Sequence, residues 1–412
     1  AIIATLGNRV NSLRLVKISV GIHGFWSGLA NWVMRNPIRV IVPLTTLLIL
    51  LAVPFLGVKL GAPWASILPP EVESREGFDI LNREIGPGET SPILVVYKSQ
   101  TRVLAEKNIA VIYDLVEQLK NHPSVIRTES ILSIAPNLSL EEYQELFSGN
   151  LYSANLEMSR AVGQISSEKA TFIKVVPSEE IMHDDTKELV QSIRSMSVGG
   201  DLKMYVTGGT ADLMDSIDVI YGSFPVAIIY VLVTIYIALF SLFRSIVLPL
   251  KAVIMNGLSI FATYGALVFI FQEGNLQGVL GFESMGYTDA IMPIVLFCIT
   301  FGISMDYEVF LLSRVKELYD ENGNNTASVA LGLERTGRII TSAALVMILV
   351  CGSFALADIV IVKMFGVGLG LAILIDATLV RALMVPAIMR VMGDLNWWCP
   401  NLNPRKLWAK LS

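Results

Sequence analysis

Charge is what this sequence has least of. Only 16% of its 412 residues are charged, 53% are hydrophobic, and the mean hydropathy is +0.60. Ordinary soluble domains carry about a quarter charged residues, so the shortage points to a membrane class. The formal net charge of −5, without any long basic run, argues against a nucleic-acid partner. Cysteine is scarce as well. Cys298 and Cys351 sit inside apolar runs and Cys399 lies near the C-terminus, which supports neither a disulfide framework nor a cysteine metal motif. The three histidines, His23, His122 and His183, all fall outside the apolar runs. No lysine–serine pair follows "TGGT" at 207–210, so those glycines do not read as a phosphate cradle. The expectation is therefore no metal, no cofactor and no enzyme. The chain starts without Met, and residues 1–7 are too few for a span and too weakly patterned for a signal peptide. They read as the tail of an upstream helix in a longer protein.

What the sequence has in excess is long apolar runs. A membrane helix needs roughly 20 mostly apolar residues. Six segments qualify: 38–58, 219–243, 246–271, 290–312, 338–357 and 361–390. The stretch 339–375 is too long for one buried helix and divides into two spans at a turn near Asp358. Short-loop lysines and arginines set the orientation. They occupy 1–37 (Arg9, Arg14, Lys17, Arg35), the connections at Arg244 and Arg314–Arg338, and the tail. Loop 272–289 has none, and carries Glu273, Glu283 and Asp289. Both termini are expected in the cytoplasm, with 59–217 outside. The domains read as linker 1–37, first span 38–58, extracytoplasmic domain 59–217, five-helix bundle 218–392 and interfacial tail 393–412 with Trp397, Trp398 and Trp408.

Region 59–217 alternates helical and strand patterns. A helix over 70–85 leads to "GPGETSP". There follow a strand at 92–97, a helix over 102–120, a strand near 124–130, a helical insertion over 138–163, a strand at 171–177, a helix over 184–197 and a strand at 202–207. Without the insertion this is β-α-β-β-α-β, the ferredoxin-like order. The fold class expected is a six-helix α-helical membrane protein with an α+β ferredoxin-like extracytoplasmic domain.

The candidate chemistry lies in "FGISMDYEVFLLSR" (301–314). Asp306 sits ~9 Å from the cytoplasmic end of its span, counting ~1.5 Å per residue back from Leu312. A carboxylate inside a bilayer is costly unless it has a function or a partner. Burial moves its affinity for protons toward neutrality, suiting it to uptake and release. Gly302, four residues earlier, shares its helix face and lets a helix or water approach. Tyr307 offers a hydroxyl. Glu308 reads as nearer the interface, a polar group satisfied there. Asp376 and Arg381, five residues apart in the last span, fall about 140° apart on an α-helix and read as poor partners. Arg381 lies at the depth of Asp306, to pair with it or snorkel; Asp376 is nearer mid-membrane. Thr341 and Ser342 sit at a depth to hydrogen-bond Asp306, though such hydroxyls also bond back to their own helix. Gly366, Gly368 and Gly370 read as a helix-packing face, and Lys251 and Lys363 as snorkelling residues near span ends.

Three stretches carry a resemblance: "GISMDYEVFLLSRVKE", "ALGLERTGRIITSAALVM" and "VKMFGVGLGLAILIDATLVRALMVPAIMRVMGDLNWWCP". They resemble the C-terminal membrane half of the MmpL branch of the resistance–nodulation–division superfamily. The segment "PPEVESREGFDILNREIGPGETSPILVVY" is similar to the start of that family's second porter domain, and residues 1–10 look like the end of a sixth span of twelve. The resemblance implies a bacterial cytoplasmic-membrane transporter in which an Asp–Tyr pair on the fourth helix of each half relays protons. The matching pair here is Asp306 and Tyr307, with Gly302, Thr341, Ser342, Asp376 and Arg381 in support. The counterpart would come from an N-terminal half absent from this sequence. Implied partners are membrane lipids and an exported lipid or amphiphile, with an oligomer left open. A sterol-sensing-like scaffold and a secretion accessory share the architecture. The scaffold has no need of a titrating carboxylate.

Overall fold

The computed structural model describes residues 22–62, 64–199 and 201–399. Expectations for residues 1–10, and for the tail from 400 onward with Trp408, lie outside the described residues. Among those described, six helices are long and apolar enough to cross a membrane. A short amphipathic helix, α1 (Ile22–Arg35), buries Trp26, Ala30, Val33 and Met34 and precedes the first of them. That first span is α2 (Pro37–Gly57), and Asn36 and Pro37 mark the corner between the two. Proline at the first helical position costs nothing there, because its missing N–H would have had no partner.

A two-residue strand β1 (Leu60–Gly61) leaves the bundle and the chain enters the α/β domain through α3 (Glu73–Glu84). Next come β2 (Ile93–Ser99), α4 (Glu106–Lys120), β3 (Val125–Glu129), the inserted helices α5 (Leu140–Ser148) and α6 (Leu156–Ile165), β4 (Ala170–Pro177), α7 (Asp184–Ser195) and β5 (Leu202–Gly208). The sheet order is β3-β4-β2-β5, and every neighbouring pair is antiparallel. In β2 the residues alternate, Ile93, Val95 and Tyr97 being buried. The period of two turns one face onto α4 and α7, whose Ile109, Ile112, Val116, Leu189 and Ile193 complete a core separate from that of the bundle.

At the end of β5, Gly208 has φ +109°, and a Cβ there would meet the carbonyl oxygen of Pro92 at 2.4 Å. Only glycine makes that corner without strain. It lets the second span, α8 (Gly209–Phe243), start directly from the sheet. At ~1.5 Å per residue its 35 residues run about 50 Å, beyond a ~30 Å hydrocarbon core, so its first turns belong to the domain. The remaining spans are α9 (Val247–Gln272), α10 (Met292–Asn322), α11 (Asn325–Leu356) and α12 (Val360–Trp397). In α9 and α12, 61% and 67% of the apolar window is buried, against 11% in α2 and α8, so the former pair forms the bundle's centre. The observed α10 and α11 run well past 290–312 and 338–357 on the side away from the domain. Their extensions pack there, and Tyr319 stacks on Trp397 at 4.6 Å.

Domain and bundle meet at a small clamp. β1 pairs in parallel with β6 (Thr288–Asp289), which leads into α10. Gln272 brackets it, accepting from the Lys59 N–H at 2.9 Å and donating to the Gly57 carbonyl at 2.9 Å. Lys59 also pairs with Asp184 of α7 at 2.7 Å, holding that carboxyl below the usual range. Asp289 accepts from the N–H groups of Ile291 and Met292, capping α10. Burial nonetheless pushes the Asp289 carboxyl up.

Candidate functional site

Residues two apart on an α-helix point about 200° apart. Asp306 and Glu308 therefore occupy opposite faces of α10. Asp306 is exposed, and it continues a stripe of exposed residues at intervals of four: Cys298, Gly302, Asp306 and Phe310. Among the described residues Asp306 has no hydrogen-bond or ion-pair partner, and a Cβ on Gly302 would touch nothing within 4 Å. Glu308 is 3% exposed and lies in the bundle core. The expectation that Glu308 sits near the interface is corrected. It differs from Asp306 in depth by only ~3 Å, and rotation about the helix rather than depth decides its burial.

The second correction concerns Asp376 and Arg381. They form an ion pair at 2.7 Å, with the residues 5% and 2% exposed. The reason is local: Ile375–Met384 is a π-helix. With about 4.4 residues per turn, residues five apart fall on nearly one face, whereas the α-helical count separates them. Arg381 neither snorkels to lipid nor pairs with Asp306. Its Nη2 donates to the Ser304 Oγ at 2.8 Å and to the Ser304 carbonyl, and its guanidinium lies over the Tyr307 ring, 5.3 Å from the centroid. The chain of contacts continues: Ser304 Oγ donates to Asn256 Oδ1 at 2.8 Å, and Asn256 Nδ2 donates to Glu308 Oε2 at 3.5 Å. A polar thread thus runs Asp376–Arg381–Ser304–Asn256–Glu308 across α12, α10 and α9, touching Tyr307 on its way.

Thr341 and Ser342 do not reach Asp306. Thr341 Oγ1 donates to the Gly337 carbonyl at 2.7 Å, the usual back-bond of a helical hydroxyl, and its side chain borders a narrow gap shared with Arg381. The lysines do not snorkel. Lys251 is 5% exposed within the bundle, and Lys363 Nζ donates to the carbonyls of Leu280 and Gly281, the latter at 2.8 Å, fixing loop 272–289 onto α12. Two of the three glycines share a packing face: Gly366 meets Phe354 and Cys351 of α11 and Gly370 faces Gly352 of the same helix, whereas Gly368 meets Leu267 and Leu296 of α9 and α10. The sequence reading missed Asn256, Ser304 and Glu308 as a set. Their signal was available, since each is a polar residue inside an apolar run.

Where domain and bundle meet, a cavity of about 740 Å³ opens beside Leu68, Val72, Phe282 and Val360, with Arg75 and Asp358 at its polar edge. Among the described residues no group of His, Cys, Asp and Glu has metal-site geometry.

Six helices long and apolar enough to cross a membrane, a sheet domain docked on one side and a polar thread through the helix core define a multi-pass membrane protein. The chain matches the MMPL family over residues 66–411 and belongs to it. It is 32% identical over 392 residues to a probable trehalose monomycolate exporter, MmpL3, of Mycobacterium leprae, covering 94% of this chain and 37% of that protein. It is also similar to the MmpL3 trehalose monomycolate exporter of Mycobacterium tuberculosis, at 29% identity over 92% of the chain and 37% of the relative. A heme uptake protein of the same organism, MmpL11, is 31% identical over 91% of the chain and 36% of the relative. The chain therefore spans little more than a third of the length of these curated relatives. Their names describe transport rather than catalysis.

Proposed function

We propose that this chain is the C-terminal half of a proton-driven exporter of lipids or other amphiphiles in a bacterial cytoplasmic membrane, with Asp306 and Tyr307 as its half of a proton relay. The observation that carries this is the exposed Asp306 face. An aspartate with no partner among the described residues, in the middle of a spanning helix and one turn from Gly302, is tolerated only where protein or water covers it. Helices from the remainder of a protein as long as the relatives are the proposed cover. Gly302 leaves room for their close approach, and Tyr307 sits where Asp306 and the Arg381 thread meet. Gly302, Asp376 and Arg381 are read as supports of this site; Thr341 borders Arg381, and Ser342 lies on the exposed side of α11.

The α/β domain is read as a ferredoxin-like porter domain. Its order β3-β4-β2-β5, with α4 and α7 as the two crossovers, supports this. The lysines and arginines of the short loops support a cytoplasmic location for both termini. The relatives' named cargoes, trehalose monomycolate and heme, are both amphipathic, and the cavity beneath α3 combines apolar and charged walls in the same way.

The test is substrate efflux by the full transporter in proteoliposomes under an imposed pH gradient. Asp306→Asn is expected to abolish efflux while leaving insertion unchanged. Efflux at the unmodified rate would overturn the relay reading.

A further inference from the structure

The spanning helix α10 carries two carboxylates on opposite faces, and the relay reading uses only Asp306. Glu308 lies among unfulfilled polar atoms. Its Oε2 faces the Asn256 amide at 3.5 Å, the outer limit of a hydrogen bond, and its Oε1 has no partner among the described residues. Lys251, from α9, is equally enclosed, and its Nζ also has none. The two are not in direct ion contact, whereas Asp376 is paired with Arg381 at 2.7 Å. The hydroxyls of Ser259 and Thr300 are buried without partners in the same two helices. Thr300, Ser304 and Glu308 follow one another at intervals of four, so the buried face of α10 is polar along three turns.

A buried ammonium and a buried carboxylate, each unpartnered, cost several kcal/mol apiece. Polar atoms enclosed in that way hold internal water, each molecule satisfying two to four of them. Water admitted between Lys251 and Glu308 would satisfy their open hydrogen-bonding positions and give a proton a path. The charged groups facing Glu308 are Lys251 from α9 and Asp376 and Arg381 from α12. Asp376 is committed to its guanidinium, whereas Glu308 has only a neutral amide, so Glu308 is the less secured of the two carboxylates.

We propose that Glu308 is a second proton-binding carboxylate of this bundle, joined by internal water to Lys251 and by Asn256, Ser304 and Arg381 to Tyr307. In the step, a hydronium ion gives its proton to Oε1, an O–H bond forms and a water molecule is left. The reverse step returns the proton to water. Protonation leaves Asp376 as the one negative charge to set against Lys251 and Arg381. Arg381, held by Asp376, Ser304 and the Tyr307 ring, is the cation through which that change reaches Tyr307. The assignment rests on the reading of the bundle as proton-driven, but its test does not depend on transport.

The experiment is infrared difference spectroscopy between high and low pH on the full transporter in lipid vesicles, read at the carbonyl stretch of protonated carboxyls. A pH-dependent band is expected that Glu308→Gln removes and Asp306→Asn retains. A spectrum in which Glu308→Gln removes no pH-dependent carboxyl band overturns the assignment. Where Glu308→Gln does not accumulate, Lys251→Met serves instead. Loss of the nearby ammonium is expected to move the band's midpoint to higher pH by about one unit or more, and an unmoved midpoint overturns the proposal. Unaltered efflux in Asp306→Asn, with the Glu308 band still removed by Glu308→Gln, would end the relay reading and leave this one standing.

Discussion

At the scale of single residues, the bundle's chemistry depends on which face of α10 and α12 each side chain takes. Asp376 and Arg381 are the clearest case. Each is almost fully enclosed and, among the described residues, each is the other's only direct charge partner. Removing one member of a buried pair strands the other, at a typical cost of about 3–5 kcal/mol. Asp376→Asn is therefore expected to lower the thermal unfolding midpoint of the purified protein, while Asp376→Leu combined with Arg381→Met recovers most of it. Unfolding of Asp376→Asn at the unmodified temperature would contradict the pairing. The sequence exposed all the participants, since an ionisable residue in an apolar run stands out. It did not reveal the pairing, because the α-helical count of 100° per residue does not hold in the π segment.

At the scale of elements, three irregularities do most of the positioning. The π-helix brings Asp376 under Arg381. The Gly208 corner joins the sheet to α8 without a loop, so the end of the sheet and the second span are directly consecutive. The β1–β6 clamp ties the start of the domain to the first turn of α10, the helix that carries Asp306. Gly61 is the weak point of that clamp. A Cβ there would lie 2.2 Å from the Tyr287 ring, whose hydroxyl donates to the Ala62 carbonyl at 3.2 Å. Gly61→Val is expected to destabilise by about 1–3 kcal/mol through overpacking. Adding Tyr287→Ala should relieve part of that loss, as measured by denaturation midpoints in detergent. A double variant no more stable than Gly61→Val alone would show that the ring is not the obstacle. Most element boundaries in the α/β domain were legible from period and turn residues: the strand read at 92–97 is Ile93–Ser99, and the helix read at 184–197 is Asp184–Ser195. The ends of α10 and α11 were not, because hydropathy reports where apolar composition stops and not where helical hydrogen bonding stops.

At the scale of the whole molecule, the domain lies on one side of the bundle and the basic loops on the other. A cysteine placed at Glu283, in a background without Cys298, Cys351 and Cys399, is expected to react with a membrane-impermeant maleimide added to intact cells. One placed at Asn324, between α10 and α11, is expected to react only after permeabilisation. Labelling of both positions from the same side would reverse the topology. The sequence by itself determined the membrane class, the six spans and the succession of strands and helices, because these follow from composition and local period, which are properties of neighbouring residues. It also singled out Asp306, Asp376 and Arg381 as charges with no ordinary place in a bilayer. Only the tertiary structure decided which of them is enclosed and which is open. It turned Glu308 into the core and Asp306 out of it, paired Asp376 with Arg381, and led a polar thread from α12 to α9. Burial and pairing depend on how helices rotate and where they depart from the α repeat, and packing between distant segments sets both.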